Sequence, residues 1–333
     1  MNLRSMFLIP IVLTMLLFSA QPTTNATTKL SVVVSTPTLI PLVKSAAGEY
    51  VEATAVVPFG TDPHEYQLVP KDVEKIFNSD LLIVTGHFDW ENELTLLAKP
   101  GSTLNLHEAL NEKLKLLNLP NGEVNLHEWW LLPYNARIII NEIAFRLAGI
   151  DEENAEIYRG MAEKSARIVD KTVAEVERML NEAGLVGNVA VCSTPIDQYL
   201  IEGLGIRCAL ILADEELAGI KPAVLENARA MLATNSLKIV VSVDIDEGTV
   251  GADAAKRLAE ETNARLLRLV VMPNDGWSYE ALLAYNAGLI SGIIHTPKVS
   301  TDTDVLMPFL VLTLSIVVVA EATIILKLRV RRP

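Results

Sequence analysis

Residues 151–184 read DEENAEIYRGMAEKSARIVDKTVAEVERMLNEAG, and the division of the chain turns on this stretch. Asp151 is a candidate N-cap and Gly184 a candidate C-cap. Between them there is no proline and one glycine, Gly160. The pattern predicts one helix over 151–184. A helix of that length does not fit inside one small α/β domain, so it reads as a rigid connector between two.

Upstream of it, short β-branched apolar runs alternate with helical patterns. Leu30–Val34 and Val51–Val57 read as strands, and LLIVTG (81–86) as a third, of the buried type. Helices are expected over Ile40–Tyr50, Pro70–Asn78 and Tyr134–Leu147. Downstream the pattern restarts. NVAVCS (188–193), IRCALIL (206–212), LKIVVSVDI (237–245) and ARLLRLVV (264–271) read as strands. PIDQYLIEGLG (195–205), GADAAKRLAEETN (251–263) and Glu280–Ile290 read as helices. Strands alternating with helices predict parallel sheets with helices on their faces. The expected fold is α/β: two parallel-sheet domains, 29–150 and 185–297, joined by the long helix 151–184.

Both ends of the chain read as membrane-directed. MNLRSMFLIPIVLTMLLFSA (1–20) has a basic start at Arg4, an apolar centre from Met6 to Phe18 and small residues at Ser19-Ala20. That is the form of a secretory signal peptide. Residues 21–28 follow as a polar spacer with a glycosylation sequon at Asn25. Val305–Leu326 is apolar and long enough to span roughly 30 Å of hydrocarbon. Lys327, Arg329, Arg331 and Arg332 follow it, so the tail 327–333 is expected inside and the body outside. Glu321, near the basic end of the span, is expected to snorkel to the interface, with contact to a membrane partner as the alternative.

The chain has 333 residues and a formal net charge of −13 despite its basic tail. Its mean hydropathy is +0.31, raised by the two apolar ends. The strongly acidic body argues against a nucleic-acid partner. The only two cysteines, Cys192 and Cys208, are distant from the signal peptide, so no lipid-anchored cysteine is available. A disulfide is permitted outside the cell, and burial as two free thiols is equally compatible.

In open parallel sheets ligands bind at the carboxyl ends of strands. Three of the five histidines fall there or nearby: His64 after the second strand, His87 after the third, and His127 before the Tyr134 helix. A lone histidine is usually a surface or hydrogen-bonded residue. Convergence of several on one edge favours a metal, since neutral imidazole is the commonest metal-ligand side chain. Catalytic patterns are missing. Each His-Glu pair lacks the second histidine four residues from the first that a zinc-protease helix needs. There is no Walker-type phosphate loop and no nucleophile-elbow serine. The glycine pattern at Gly203 and Gly205 stops at Cys208. No enzymatic activity is expected.

These residues resemble the solute-binding proteins of zinc and manganese ABC transporters. GTDPHEYQLVPKDVEKIFNSDLLIVTG (60–86) is similar to that family's G-x-D-P-H-x-Y block, with His64 at its first metal ligand. HEWWLLPYNARIIINEIAFRLAGIDEENAEIY (127–158) is similar to the second block. His127 and Trp129 match there, and Leu132 replaces an aspartate. The helix after Asp151 stands where the family has its linker helix. Ala259–Arg265 matches a late helix motif, and Glu247 falls at an acidic position after a strand. Two positions depart: Thr194 stands where the resemblance implies a His or Glu ligand, and Met272 where it implies an aspartate. Asp275, Glu247, Asp197 and His87, in that order, are the candidates to complete the site. The expected metal set is therefore His64, His127, Asp275 and Glu247, from the two sides of a cleft.

The resemblance implies a monomeric extracytoplasmic receptor that captures zinc or manganese as cargo. It would pass the ion to a membrane permease served by a separate ATPase chain, held near by the C-terminal span. Binding by neutral imidazoles should weaken below roughly pH 6. The competing readings keep the fold: an altered site for a metal chelate or organic ligand, an adhesion protein, or an anchored metallohydrolase with Glu65 or Glu128 as base.

Overall fold

Alternation along a single strand shows how the first lobe is layered. Val32 and Val34 of β1 (Leu30–Val34) face one hydrophobic cluster, and Val33 between them faces another. A strand buried on both faces must lie inside a sheet covered by helices on both sides. The computed structural model, which describes residues 29–295 except 62, 214–218, 236 and 274–275, has this arrangement. β1 pairs in parallel with β2 (Val51–Ala55) and β3 (Leu81–Val84), and β3 with β4 (Thr103–Asn105), in the order β2-β1-β3-β4. α1 (Ile40–Ala47) and α5 (Pro133–Ile150) supply one face. α2 (Pro70–Phe77) and α3 (Glu91–Leu97) supply the other through Ile76 and Leu94. A short α4 (Leu106–Leu110) follows β4.

The second sheet repeats the plan. β5 (Val189–Cys192), β6 (Arg207–Ile211), β7 (Ile239–Val243) and β8 (Arg265–Leu269) are parallel in the order β6-β5-β7-β8. Val191 and Val240 pack against Leu232 of α8 (Pro222–Thr234) and Leu258 of α9 (Val250–Glu261). Cys192 and Val241 face the opposite cluster, with Tyr199 of α7 (Asp197–Gly203) and Leu282 of α10 (Tyr279–His295). The two-lobe α/β expectation is met. α10 is longer than the predicted Glu280–Ile290.

Between the sheets runs α6 (Ala155–Glu182), the core of the predicted 151–184 helix. Its first residues differ from expectation, since Glu152–Asn154 form a 3-10 turn. Asp151 caps that turn, accepting from the Asn154 backbone N–H at 3.3 Å. The turn tightens the chain where helix N–H groups lack partners. α6 is also more than a connector. Tyr158, Ala162, Ser165, Val169, Val176 and Leu180 are buried along it at spacings of three, four and seven, one stripe of an amphipathic helix. Its apolar members belong to a single hydrophobic cluster containing residues of both sheets, α1, α5 and α10. Tyr279 N–H donates to Ser45 Oγ at 2.8 Å, and Glu280 accepts from Ser45 of α1 and Ser165 of α6 at 2.5 and 2.9 Å. The last helix of the second lobe is thereby fastened to the first.

Cys192 and Cys208 lie on neighbouring strands as buried free thiols. Of the two readings left open for them, the structure has the reduced one. The predicted signal peptide, spacer, membrane span 305–326 and basic tail lie outside the described residues. Among those described, no helix is long and apolar enough to cross a membrane.

Candidate metal centre

Parallel strand order reverses at β1/β3 in one sheet and at β5/β7 in the other. Such switch points open a crevice at the strands' carboxyl ends. The loops after β1, β2, β3, β5 and β7 line one cavity of about 510 Å³ between the lobes.

His64 sits on a 3-10 turn, Pro63–Glu65, beyond β2. The Trp90 indole N–H holds that turn by donating to the Pro63 carbonyl at 2.8 Å. His87 is held more tightly. The buried Glu91 carboxylate at the start of α3 accepts backbone N–H groups from Thr85 and Gly86, both at 2.7 Å, and from His87 at 3.1 Å. Gly86 has φ +79°, and a Cβ there would collide with Asn105 and His107. Only glycine allows β3 to turn this sharply into His87. His127 is positioned by its N–H donating to Asn125 Oδ1 at 2.9 Å. Asn125 Nδ2 in turn donates to the Pro195 carbonyl and to Gln198 Oε1, both at 2.9 Å, so this loop is anchored on the second lobe.

The three imidazoles form a nearly equilateral triangle. Ring centroids are 5.5 Å apart for His64–His87, 5.6 Å for His64–His127 and 5.5 Å for His87–His127. One ligand atom from each lies within 4.8 Å of those of the other two. Burial, and then the neighbouring His64 and His107, push the His87 pKa down to about 4. Its ring is therefore neutral near pH 7, as a metal ligand must be. His87 Nε2 is buried without a hydrogen-bond partner. A buried polar nitrogen left unsatisfied is costly, and a cation at the centre of the triangle would satisfy it.

The opposite wall includes Thr194, Asp246, Glu247 and Met272. Asp246 accepts from Ser193 Oγ and Thr194 Oγ1, both at 2.9 Å. Burial raises its pKa, and those two hydroxyl bonds oppose the rise. Asp197 is fully buried and accepts the Ser193 and Thr194 N–H groups at 2.6 and 3.2 Å, so it frames the loop. Burial, and then the Asp246 charge, push its pKa well up.

Of the four expected ligands, His64 and His127 come together. Glu247 lines the cavity, but its side chain is 76% exposed and lies 3.5 Å from Arg268. Asp275 is outside the described residues. His87, the last of the completing candidates, joins the two histidines, and Asp246, not among the candidates, lines the same cavity. Both follow the strand-end rule that singled out His64.

This architecture, two parallel-sheet lobes bridged by a long helix with histidines at the cleft, defines a two-lobed solute-binding protein. The chain belongs to the family described as zinc-uptake complex component A, periplasmic, whose profile matches residues 32–292. It is 24% identical over 290 residues to the manganese ABC transporter substrate-binding lipoprotein PsaA of Streptococcus pneumoniae serotype 4, covering 82% of this chain and 92% of that one. It is 24% identical over 277 residues to the iron ABC transporter substrate-binding lipoprotein MtsA of Streptococcus pyogenes serotype M1, covering 79% and 88%. A manganese-bound periplasmic metal-binding protein from Candidatus Liberibacter asiaticus has the same fold, with a TM-score of 0.63 at 23% identity, covering 80% and 100%. So does the solute-binding protein FpvC of Pseudomonas aeruginosa in complex with Mn²⁺, with a TM-score of 0.62 at 22% identity, covering 80% and 98%. The family is one of transport receptors, not enzymes.

Proposed function

We propose that this chain captures a divalent metal ion, zinc or manganese, between its lobes and delivers it to an ABC transporter permease. The observation that carries this reading is the triangle of His64, His87 and His127. Three imidazole nitrogens on one side leave further coordination positions open toward the other lobe. Zinc accepts four mixed nitrogen and oxygen ligands, and a nitrogen-rich set suits it better than manganese. The ATPase that drives transport is a separate chain. The chain acts as a monomer, with lobes at 29–150 and 185–297 and the helix 151–184 between them. Its body lies outside the cytoplasm, held by the span 305–326 with the tail inside. The relatives named as lipoproteins support membrane anchoring, here by a helix in place of a lipid.

The test is metal content of the full chain purified in detergent without chelators. One zinc or manganese per chain, lost in His64→Ala, His87→Ala and His127→Ala, is expected. No bound metal, with no thermal stabilisation by added zinc or manganese, would overturn the proposal. A second reading, a metal chelate as cargo, is favoured by the cavity of about 510 Å³, which is in the size range of small-molecule sites. Mass spectrometry of material released on denaturation separates the two.

A further inference from the structure

The second lobe offers a carboxylate that the histidine triangle does not use. β5 and β7 are hydrogen-bonded neighbours in mid-sheet, with Cys192 opposite Val241. The residues just beyond their ends, Ser193-Thr194 and Asp244–Asp246, therefore emerge side by side. Asp246 is 3% exposed yet lines the same cavity as the three histidines. Both hydroxyl bonds from Ser193 and Thr194 fall on its Oδ2, and neither falls on Oδ1. Ser193 Oγ is also 2.9 Å from Asp197 Oδ2, which ties this oxygen cluster to the loop frame. Gly251 of α9 closes over the same loop: a Cβ there would meet the Ser193 carbonyl and Thr194 Cγ2, each at 3.0 Å. Asp246 is thus held through Oδ2 by a packed loop while it lines the cavity.

We infer that Asp246 is the second lobe's ligand to the ion held by His64, His87 and His127, and that Thr194 positions it through Oδ2. This rests on the reading of the histidine triangle as the metal site. It explains a threonine at the place where a His or Glu ligand is expected. The hydroxyl aims a carboxylate from the neighbouring strand and does not bind metal itself. Hydrogen bonds to a ligating carboxylate fix its orientation and tune the site. Charge favours the arrangement too, because imidazole ligands bring no negative charge to a dication and one carboxylate halves that charge. Ligands of one zinc ion at about 2.0–2.2 Å lie within roughly 4.4 Å of each other. Among the described residues only the three histidines group within 4.8 Å, so Asp246 joins them as the cavity narrows around the ion.

The experiment titrates the full chain in detergent with cobalt(II), reading its visible spectrum, and then displaces cobalt with zinc to obtain affinities. Wild type, Asp246→Asn, Thr194→Val, Thr194→Ser and His64→Ala are compared, with thermal unfolding to confirm folding. Asp246→Asn is expected to weaken zinc binding at least about tenfold and to shift the cobalt bands. Thr194→Val should weaken binding about tenfold, within the range for lost outer-shell partners, and Thr194→Ser should restore it. An unchanged spectrum and affinity in Asp246→Asn, with binding lost in His64→Ala, would overturn the inference and leave the triangle standing. If Asp246→Asn does not fold, unchanged binding in Thr194→Val overturns it. Wild-type protein that binds neither cobalt nor zinc overturns both readings together.

Discussion

At the scale of single residues, His87 concentrates the chemistry of the site. Its loop is fixed by the Glu91 carboxylate, and its ring is half-buried beside the other two histidines. The depressed pKa has a consequence for stability. A free histidine takes up a proton near pH 6.5, whereas folded His87 does so only near pH 4. Between those values the unfolded chain binds a proton that the folded chain does not. The metal-free protein therefore loses stability as the pH falls from about 6.5 to about 4, with no further loss from this group below. Replacing His87 with glutamine should remove that share of the slope. Urea unfolding of metal-free wild type and His87→Gln at pH 7, 5.5 and 4 measures it. The variant is expected to gain on the wild type at the two lower values, and parallel curves would show that burial does not hold the ring neutral.

At the scale of elements, the turn into α6 is a separable device. Asp151 accepts from Asn154 Nδ2 at 2.8 Å and from the Tyr158 hydroxyl at 2.7 Å. The two side-chain bonds, Asn154 first, pull its pKa below the usual carboxylate value. Its stabilisation is thus present above about pH 4 and is lost as the pH falls through the lowered folded value. Asp151→Ala should cost about 1 kcal/mol at pH 7, the usual cost of a lost N-cap. That difference should shrink below pH 4 in denaturant titrations, while a constant difference would point to lost packing. The elements themselves were legible from local signals: short β-branched apolar runs for the strands, and for α6 a long stretch between candidate caps with no proline. The residues past the strand ends were legible only by type. His64 and His127 stood out, but no local pattern separates Asp246, inward and held by two hydroxyls, from Glu247, outward beside Arg268. That difference is set by the pairing of β5 with β7, a contact between distant parts of the chain. The grouping of His87 with the other two is hidden for the same reason, since its neighbours in the triangle lie 23 residues before it and 40 after it.

At the scale of the whole molecule, the question is how far the lobes can move to take up and release an ion. A long stiff helix read as a rigid connector would by itself restrict closure. The structure supplies a stronger restraint, because the lobes share one hydrophobic cluster through α6 and α10. Polar contacts reinforce it. Tyr199 donates to the Asn125 carbonyl and Tyr279 to the Leu131 carbonyl, each at 2.6 Å, and Asn125 holds Pro195 and Gln198. A wide hinge opening would break these buried bonds at about 0.5–1.5 kcal/mol each and expose apolar surface at about 25 cal/mol per Å². Few of those costs would be recovered elsewhere. Metal capture should therefore proceed by a small narrowing of the cavity, enough to bring the strand-end loops of the second lobe onto an ion already held by the first. Small-angle scattering of zinc-free and zinc-bound protein should give nearly the same radius of gyration, and crystal structures of the two forms should differ by a few degrees of rotation. A large rotation about the ends of α6 would mean that the shared cluster divides between the lobes, and release to the permease would then need no outside force to open the site. If the movement is small, opening the site must draw on contact with the permease itself.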